Sequence, residues 1–298
     1  MNDAFRKPWK EGLANLAVDP DVLAKELAAE QLGDPLDEIN KPWKEGLANL
    51  AVDPDVLAKE LAAEQLGDPL DEINQDDSDI ALVCDSGLNL LKQGHQERLQ
   101  GLRVFCEHRD PRAVALLLPL LQESCPVERM SAVYALGRNP SPPALEPLLQ
   151  LLQADSNAYV RKATAWSLGN YADARVLKPL IHALQNDVAA VRLWATGSVA
   201  EVGSTSAGNA DIAAGQLLMS LQIDGESVVR SNCIWALGRL YEMLEEPRRQ
   251  ELVEVFINAL LNDGESSVRD EARIALEQLE NQEVMKRLRT LMDSGLLA

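Results

Sequence analysis

Aromatic side chains are scarce in this chain: Phe, Trp and Tyr make up 4% of 298 residues, although 46% of the residues are hydrophobic. A core built without rings is a core of Leu and Ala, the composition of packed helices. No stretch alternates apolar and polar residues at period two, so the sequence predicts no sheet. No uninterrupted apolar run approaches the ~18 residues needed to span a bilayer. The opening MNDAFRKPWKEG has no apolar stretch, which argues against a secretory signal there.

Histidine is also rare, with only His95, His108 and His182 present. None opens an H-E pair and none has a spaced second His. A metal centre needs several converging ligands, so neither a metal nor a cofactor is expected from the residues. The cysteines Cys84, Cys106, Cys125 and Cys233 form no C-x-x-C pair. Cys106 and Cys233 fall on helix packing faces and read as buried thiols, which fits a reducing cytoplasm. There is no G-x-S-x-G, no P-loop and no G-x-G-x-x-G. Acidic pairs such as Glu245–Glu246 read as solvated helix ends, so no residue is assigned a catalytic role.

Positive charge is in short supply: 28 Lys and Arg face 47 Asp and Glu, a net charge of −19. Holding a phosphate backbone needs Lys and Arg, which excludes a nucleic-acid partner and favours a protein with a basic patch. The acid is unevenly placed. Residues 1–80 hold 7 bases and 20 acids, a balance of −13, and the remainder holds 21 and 27, a balance of −6.

Inside that acidic part, residues 7–40 recur at 41–74 without one difference. Repeat arrays keep only their packing positions, so complete identity marks a recent duplication or an assembly artefact. The period of 34 is that of tetratricopeptide repeats, but the residues do not fit that pattern. Each copy signals a short helix: Asp19, Pro20 and Asp21 start one, Leu23 and Leu27 give it a thin apolar face, and Gly33 stops it. Asp53, Pro54, Leu57, Leu61 and Gly67 repeat those roles. The sequence therefore predicts a weakly structured, acidic helical extension over 1–79, ending in the solvated linker QDDSD (75–79).

What the chain does have, from residue 80 to 298, is a repeat. Arg98, Arg129, Arg161, Arg192, Arg230 and Arg269 are spaced 31, 32, 31, 38 and 39 residues apart. Small residues follow at plus three (Gly101, Ala132, Thr164, Ala195, Cys233, Ala272). Apolar ones follow at plus seven (Phe105, Leu136, Leu168, Val199, Leu237, Leu276). A period of 20–50 residues marks a solenoid. At 100° per residue, positions −1, +3, +4, +6 and +7 share one face, a packing code without chemistry. After a leading helix, DIALVCDSGLNLLKQG, helix pairs follow. The arginine-bearing helix is read as the first of each pair and a Leu-rich helix such as RVLKPLIHALQND as the second. The residues predict an all-α, right-handed solenoid of about six hairpins.

Asp155, Asp187, Asp224 and Asp263 stand five or six residues before an arginine and read as helix N-caps. With Arg129, Arg161, Arg192, Arg230 and Arg269 they are expected to form a structural ladder, each partner bridging adjacent units. Position +5 points away from the packing face and holds Tyr134, Trp166 and Trp235, with Trp194 at +2 of its own unit. Two readings stay open for these rings: a binding surface, since Trp and Tyr dominate interface energetics, or packing between neighbouring units.

The run VRxxAxxALG appears as VERMSAVYALG, YVRKATAWSLG, VVRSNCIWALG and SVRDEARIALE. It resembles the HEAT-like repeats of phycobilisome lyases, over roughly residues 90–298 and most clearly over 125–187 and 225–298. The resemblance implies a HEAT-repeat solenoid. It also implies kinship with paired E/F-type proteins that attach or remove bilin on phycobiliproteins, and with adaptors that interact with iron–sulfur assembly factors. Its motif is the packing code, so it carries over no catalytic residue, and the His-Glu pairs of HEAT-repeat hydroxylases are missing. The expectation is a cytoplasmic scaffold that holds a protein along a concave face formed by the second helices. The partner under the resemblance is a phycobiliprotein subunit, a second HEAT-repeat chain or an iron–sulfur assembly factor. The alternative is a bilin lyase subunit, for which bilin would be the bound group.

Overall fold

A computed structural model describes residues 77–294. Their regular structure is wholly helical, as the packing code requires, and folds as an α-solenoid. The thirteen α-helices are α1 (Asp77–Leu90), α2 (His95–Glu107), α3 (Val114–Leu117), α4 (Pro126–Arg138), α5 (Pro142–Ala154), α6 (Ala158–Gly169) and α7 (Leu177–Asn186), then α8 (Ala189–Gly203), α9 (Ala207–Ile223), α10 (Ser227–Leu240), α11 (Glu246–Asn262), α12 (Ser266–Gln278) and α13 (Gln282–Asp293). The expected extension, with its copies at 7–40 and 41–74, lies outside the described residues. Residues 77–79, read above as the end of a linker, instead open α1.

The ladder arginines sit on α2, α4, α6, α8, α10 and α12. Their small plus-three residues and their plus-seven apolar residues are buried in one continuous core. Small side chains let these helices approach closely, and the plus-seven side chain fills the adjoining space. Gly101 shows how close the approach is. A methyl group there would stand 2.9 Å from both the Gly87 carbonyl oxygen and the Leu91 nitrogen.

Two sequence expectations are corrected. Each arginine helix packs extensively on the Leu-rich helix that precedes it and, α8 excepted, sparingly on the one that follows. The hairpins are therefore α1–α2, the 111–122 segment with α4, α5–α6, α7–α8, α9–α10 and α11–α12. The leading helix α1 is half of the first hairpin, and α13 trails the last. The second correction concerns the faces. Successive arginine helices pack tightly against one another, whereas the Leu-rich helices touch each other little. A stack with one close row and one open row bends toward the close row, which puts the arginine-bearing helices on the inner face.

The longer spacings of 38 and 39 have a local cause. Leu-rich helices α5 and α7 have 13 and 10 residues, whereas α9 and α11 have 17 each. Pro119, Pro147 and Pro179 fall in the earlier Leu-rich segments, and Pro147, inside α5, removes a helix N–H; α9 and α11 have no proline beyond their first turn. Around Pro119 the segment is reduced to 3-10 turns flanking the short α3. No helix among the described residues is long and apolar enough to cross a membrane.

Candidate functional site

Two constellations run along the stack: a ladder of ion pairs at one edge, and a row of rings on the inner face. The ladder is built at the turns leading into each arginine helix. Arg129 grips Asp155 with two parallel bonds, Nε–Oδ2 at 2.8 Å and Nη2–Oδ1 at 3.0 Å. Arg161 holds Asp187 at 2.8 and 2.7 Å. Arg192 holds Asp224 at 2.8 and 2.7 Å, and Arg230 holds Asp263 at 2.8 Å on both oxygens. In every case the aspartate belongs to the next unit. The fork geometry is the one that carboxylate and guanidinium share.

Each arginine also ties its own turn. The third nitrogen of Arg161, Arg192, Arg230 and Arg269 donates to the carbonyl of Asp155, Asp187, Asp224 and Asp263 at 2.7–2.9 Å. Among the described residues Arg269 is bonded only to this carbonyl and to that of Gly264, and no carboxylate forks with it. The aspartates are not the N-caps themselves, as the sequence suggested. They stand one or two residues earlier and accept from the N–H of the N-cap residues Asn157, Val188, Glu226 and Glu265. Burial alone would raise the Asp187 and Asp224 carboxyls, but the arginine fork and the turn N–H hold both below the usual range. Arg230 is the main cause of the lowered Asp263.

The first rung differs. Arg98 donates Nε to Glu128 Oε1 at 2.8 Å, and His95 Nδ1 stands 3.2 Å from the same oxygen. Glu128 is the residue just before Arg129 and its side chain is buried. Sequence reading missed this substitute, because no aspartate sits at the matching turn to draw attention to it.

The rings lie on consecutive arginine helices: Tyr134 on α4, Trp166 on α6, Trp194 on α8 and Trp235 on α10, each half-buried. Tyr134 and Trp166 meet with centroids 5.4 Å apart, tilted by 54°. Trp166 lies on Gly137 of α4, the preceding arginine helix, so closely that a methyl group there would come within 2.6 Å of the ring. Lys162 Nζ stands 5.5 Å above the Trp194 ring, and the Arg239 guanidinium 5.2 Å above Trp235. Arg239 also donates to Glu201 at 2.6 Å. Asn232 donates to the Leu193 carbonyl at 2.9 Å and to the Thr196 hydroxyl, fixing α10 on α8. The rings thus pack adjacent units together and keep part of their surface exposed. Lys162, Arg239 and Gly137 were not singled out in the sequence. Their signal is positional, since they occupy +1, +9 and +8 of a repeat whose apolar positions draw the eye first.

Nothing in the row or the ladder supplies a nucleophile with a base beside it. Cys233 is fully buried and burial pushes its thiol up; Cys106 is half-buried, its thiol raised to about 11 by burial, and donates to the Ser131 carbonyl at 3.6 Å. Among the described residues no group of three or more His, Cys, Asp or Glu could hold a metal ion.

The family description HEAT repeats matches residues 95–169 and 145–238 of this chain. No curated protein matches it by sequence. Among solved structures it is similar to Kap121p bound to Pho4p, with a TM-score of 0.52 and 16% identity over 67% of this chain and 23% of that one. It is also similar to the complex of CpcE and CpcF of phycocyanin lyase from Nostoc sp. PCC7120 (TM-score 0.47, 23% identity, 56% of this chain and 99% of that one). A third likeness is to a computationally designed armadillo repeat protein for modular peptide recognition (TM-score 0.48, 20% identity, 65% of this chain and 98% of that one). At 16% identity the likeness to Kap121p speaks for the fold alone, an α-solenoid.

Proposed function

We propose that this chain is a cytoplasmic protein-binding scaffold whose docking surface is the inner, arginine-bearing row of helices. One observation carries the reading: four half-buried rings stand on four successive arginine helices, held in place by packing between units. Rings fixed in this way lose little side-chain entropy when a partner covers them, which is why Trp and Tyr anchor interfaces. The ladder serves the same end by setting the angle between units, so the row is pre-organised before a partner arrives.

The test is a paired capture from native lysate with the full chain and with a Trp166→Ala/Trp235→Ala variant of unchanged helical content. The scaffold reading expects a stoichiometric partner on the first and its loss from the second. Equal retention on both would overturn it. The sequence resemblance suggests phycobiliprotein subunits, a second HEAT-repeat chain and iron–sulfur assembly factors as the first partners to try.

A second reading, a bilin lyase subunit, draws on the same resemblance and on the cations held over the Trp194 and Trp235 rings, which suit a flat anionic ligand. Co-expression with a phycobiliprotein subunit, bilin and a candidate partner chain tests it. The absence of both chromophore transfer and bilin binding would sink it.

A further inference from the structure

The inner face reverses the charge of the chain. From α4 to α10, positions +1, +5 and +9 after each ladder arginine hold Met130, Tyr134 and Arg138; Lys162, Trp166 and Asn170; Leu193, Gly197 and Glu201; and Ser231, Trp235 and Arg239. All but Gly197 are half-buried or exposed. Among them stand three bases and a single acid, Glu201, in a chain with 28 bases and 47 acids. That one carboxylate is engaged by Arg239 at 2.6 Å. Two of the three bases lie against rings, so positive charge and aromatic surface coincide. The stretch is bounded: on α12 the same positions hold Asp270, Ile274 and Gln278, one acid and no base.

We infer that the partner presents an acidic segment to this row, with carboxylates meeting Arg138, Lys162 and Arg239 and apolar side chains lying over Trp166, Trp194 and Trp235. This rests on the scaffold reading and names the chemistry of its partner. A surface chosen for a basic partner would carry carboxylates here, and the chain has many to spare. Complementary charge sets register and speeds encounter more than it adds affinity, whereas the rings supply the binding surface. Four adjacent helices at about 8–10 Å spacing span roughly 25–30 Å, which an extended peptide of about nine residues covers.

The experiment uses the full chain with Trp9→Phe and Trp43→Phe, so that fluorescence reports Trp166, Trp194 and Trp235 alone. It is titrated at low salt with two ring-free probes of about nine residues, one of alternating Glu and Leu, the other of alternating Lys and Leu. A saturable change with the Glu-Leu peptide supports the inference, the more so because the overall charge repels it. Arg138→Glu and Lys162→Glu, made separately, are expected to weaken that binding by about tenfold each. Lys178→Glu, an equal charge change on the exposed side of the Leu-rich α7, is expected to leave it within about twofold. Loss in all three variants equally would mean only that net charge matters, and would overturn the assignment to the row. A response to the Lys-Leu peptide alone would overturn the acidic partner and leave the scaffold standing. Silence with both would remove the row as a docking surface, and the scaffold reading with it.

Discussion

An aspartate such as Asp224 answers several groups at once. It accepts the forked bonds of Arg192, takes the Glu226 N–H, and offers its carbonyl to Arg230. Its side chain is nearly buried, so removing it strands the guanidinium of Arg192, whose side chain is itself only 20% exposed. Asp224→Ala is expected to cost about 2–3 kcal/mol, read as a shift in the urea midpoint at unchanged slope. Arg269, which among the described residues has only backbone partners, gives the contrast: Arg269→Ala is expected to cost less than half as much in the same assay. A further residue-level prediction concerns Glu280, which follows α12 with φ of 50°. An L-residue in that left-handed region pays about 1–2 kcal/mol, and glycine escapes most of it. Glu280→Gly is therefore expected to stabilise the chain by about 0.5–1 kcal/mol, measured by thermal melting. A loss of stability would show that the Glu280 side chain holds the turn.

At the scale of the helix, the row of rings depends on the glycine beneath Trp166. Gly137→Ala would push a methyl group into the Trp166 ring and to within 3.0 Å of the Ser167 backbone. Overpacking of this kind costs about 1–3 kcal/mol. Fluorescence of Trp166 should change with it, and an unaltered spectrum with unaltered stability would mean that the helices part easily. The helices themselves were legible in the sequence because the apolar residues recur at helical spacing. Their pairing was not. Both helices flanking an arginine helix present apolar stripes, and only the packing shows that the preceding one is the main hairpin partner. The inner face was misassigned for the same reason: a hydrophobic stripe says which side is buried, not how closely two neighbouring helices approach. That approach is decided by how Gly137 or Gly169 fits against Ser167 or Ser198 of the next unit.

Over the whole stack the ladder makes stability sensitive to acid. Asp187, Asp224 and Asp263 are held below the ordinary carboxyl range, so their contribution is fully present above the unfolded value of about 4. It is lost as pH falls through their lowered folded-state values, when protonation removes the arginine's partner. The melting temperature is expected to hold steady from about pH 8 to pH 5 and to fall below about pH 4. A variant lacking Asp224 should fall less steeply. Equal slopes would place the acid sensitivity elsewhere.

The sequence by itself determined that this chain is a helical solenoid, because a packing code repeated at fixed intervals has only one way to bury its apolar face: against the next copy. It also placed the arginines and aspartates at spacings that the structure turns into pairs 2.7–2.8 Å apart across adjacent units. Only the tertiary structure decided which helix row is inner, that Glu128 takes the first rung, and that Lys162 and Arg239 cap the rings. Those facts depend on the distances between units, and a distance across the stack leaves no mark on the order of residues along the chain.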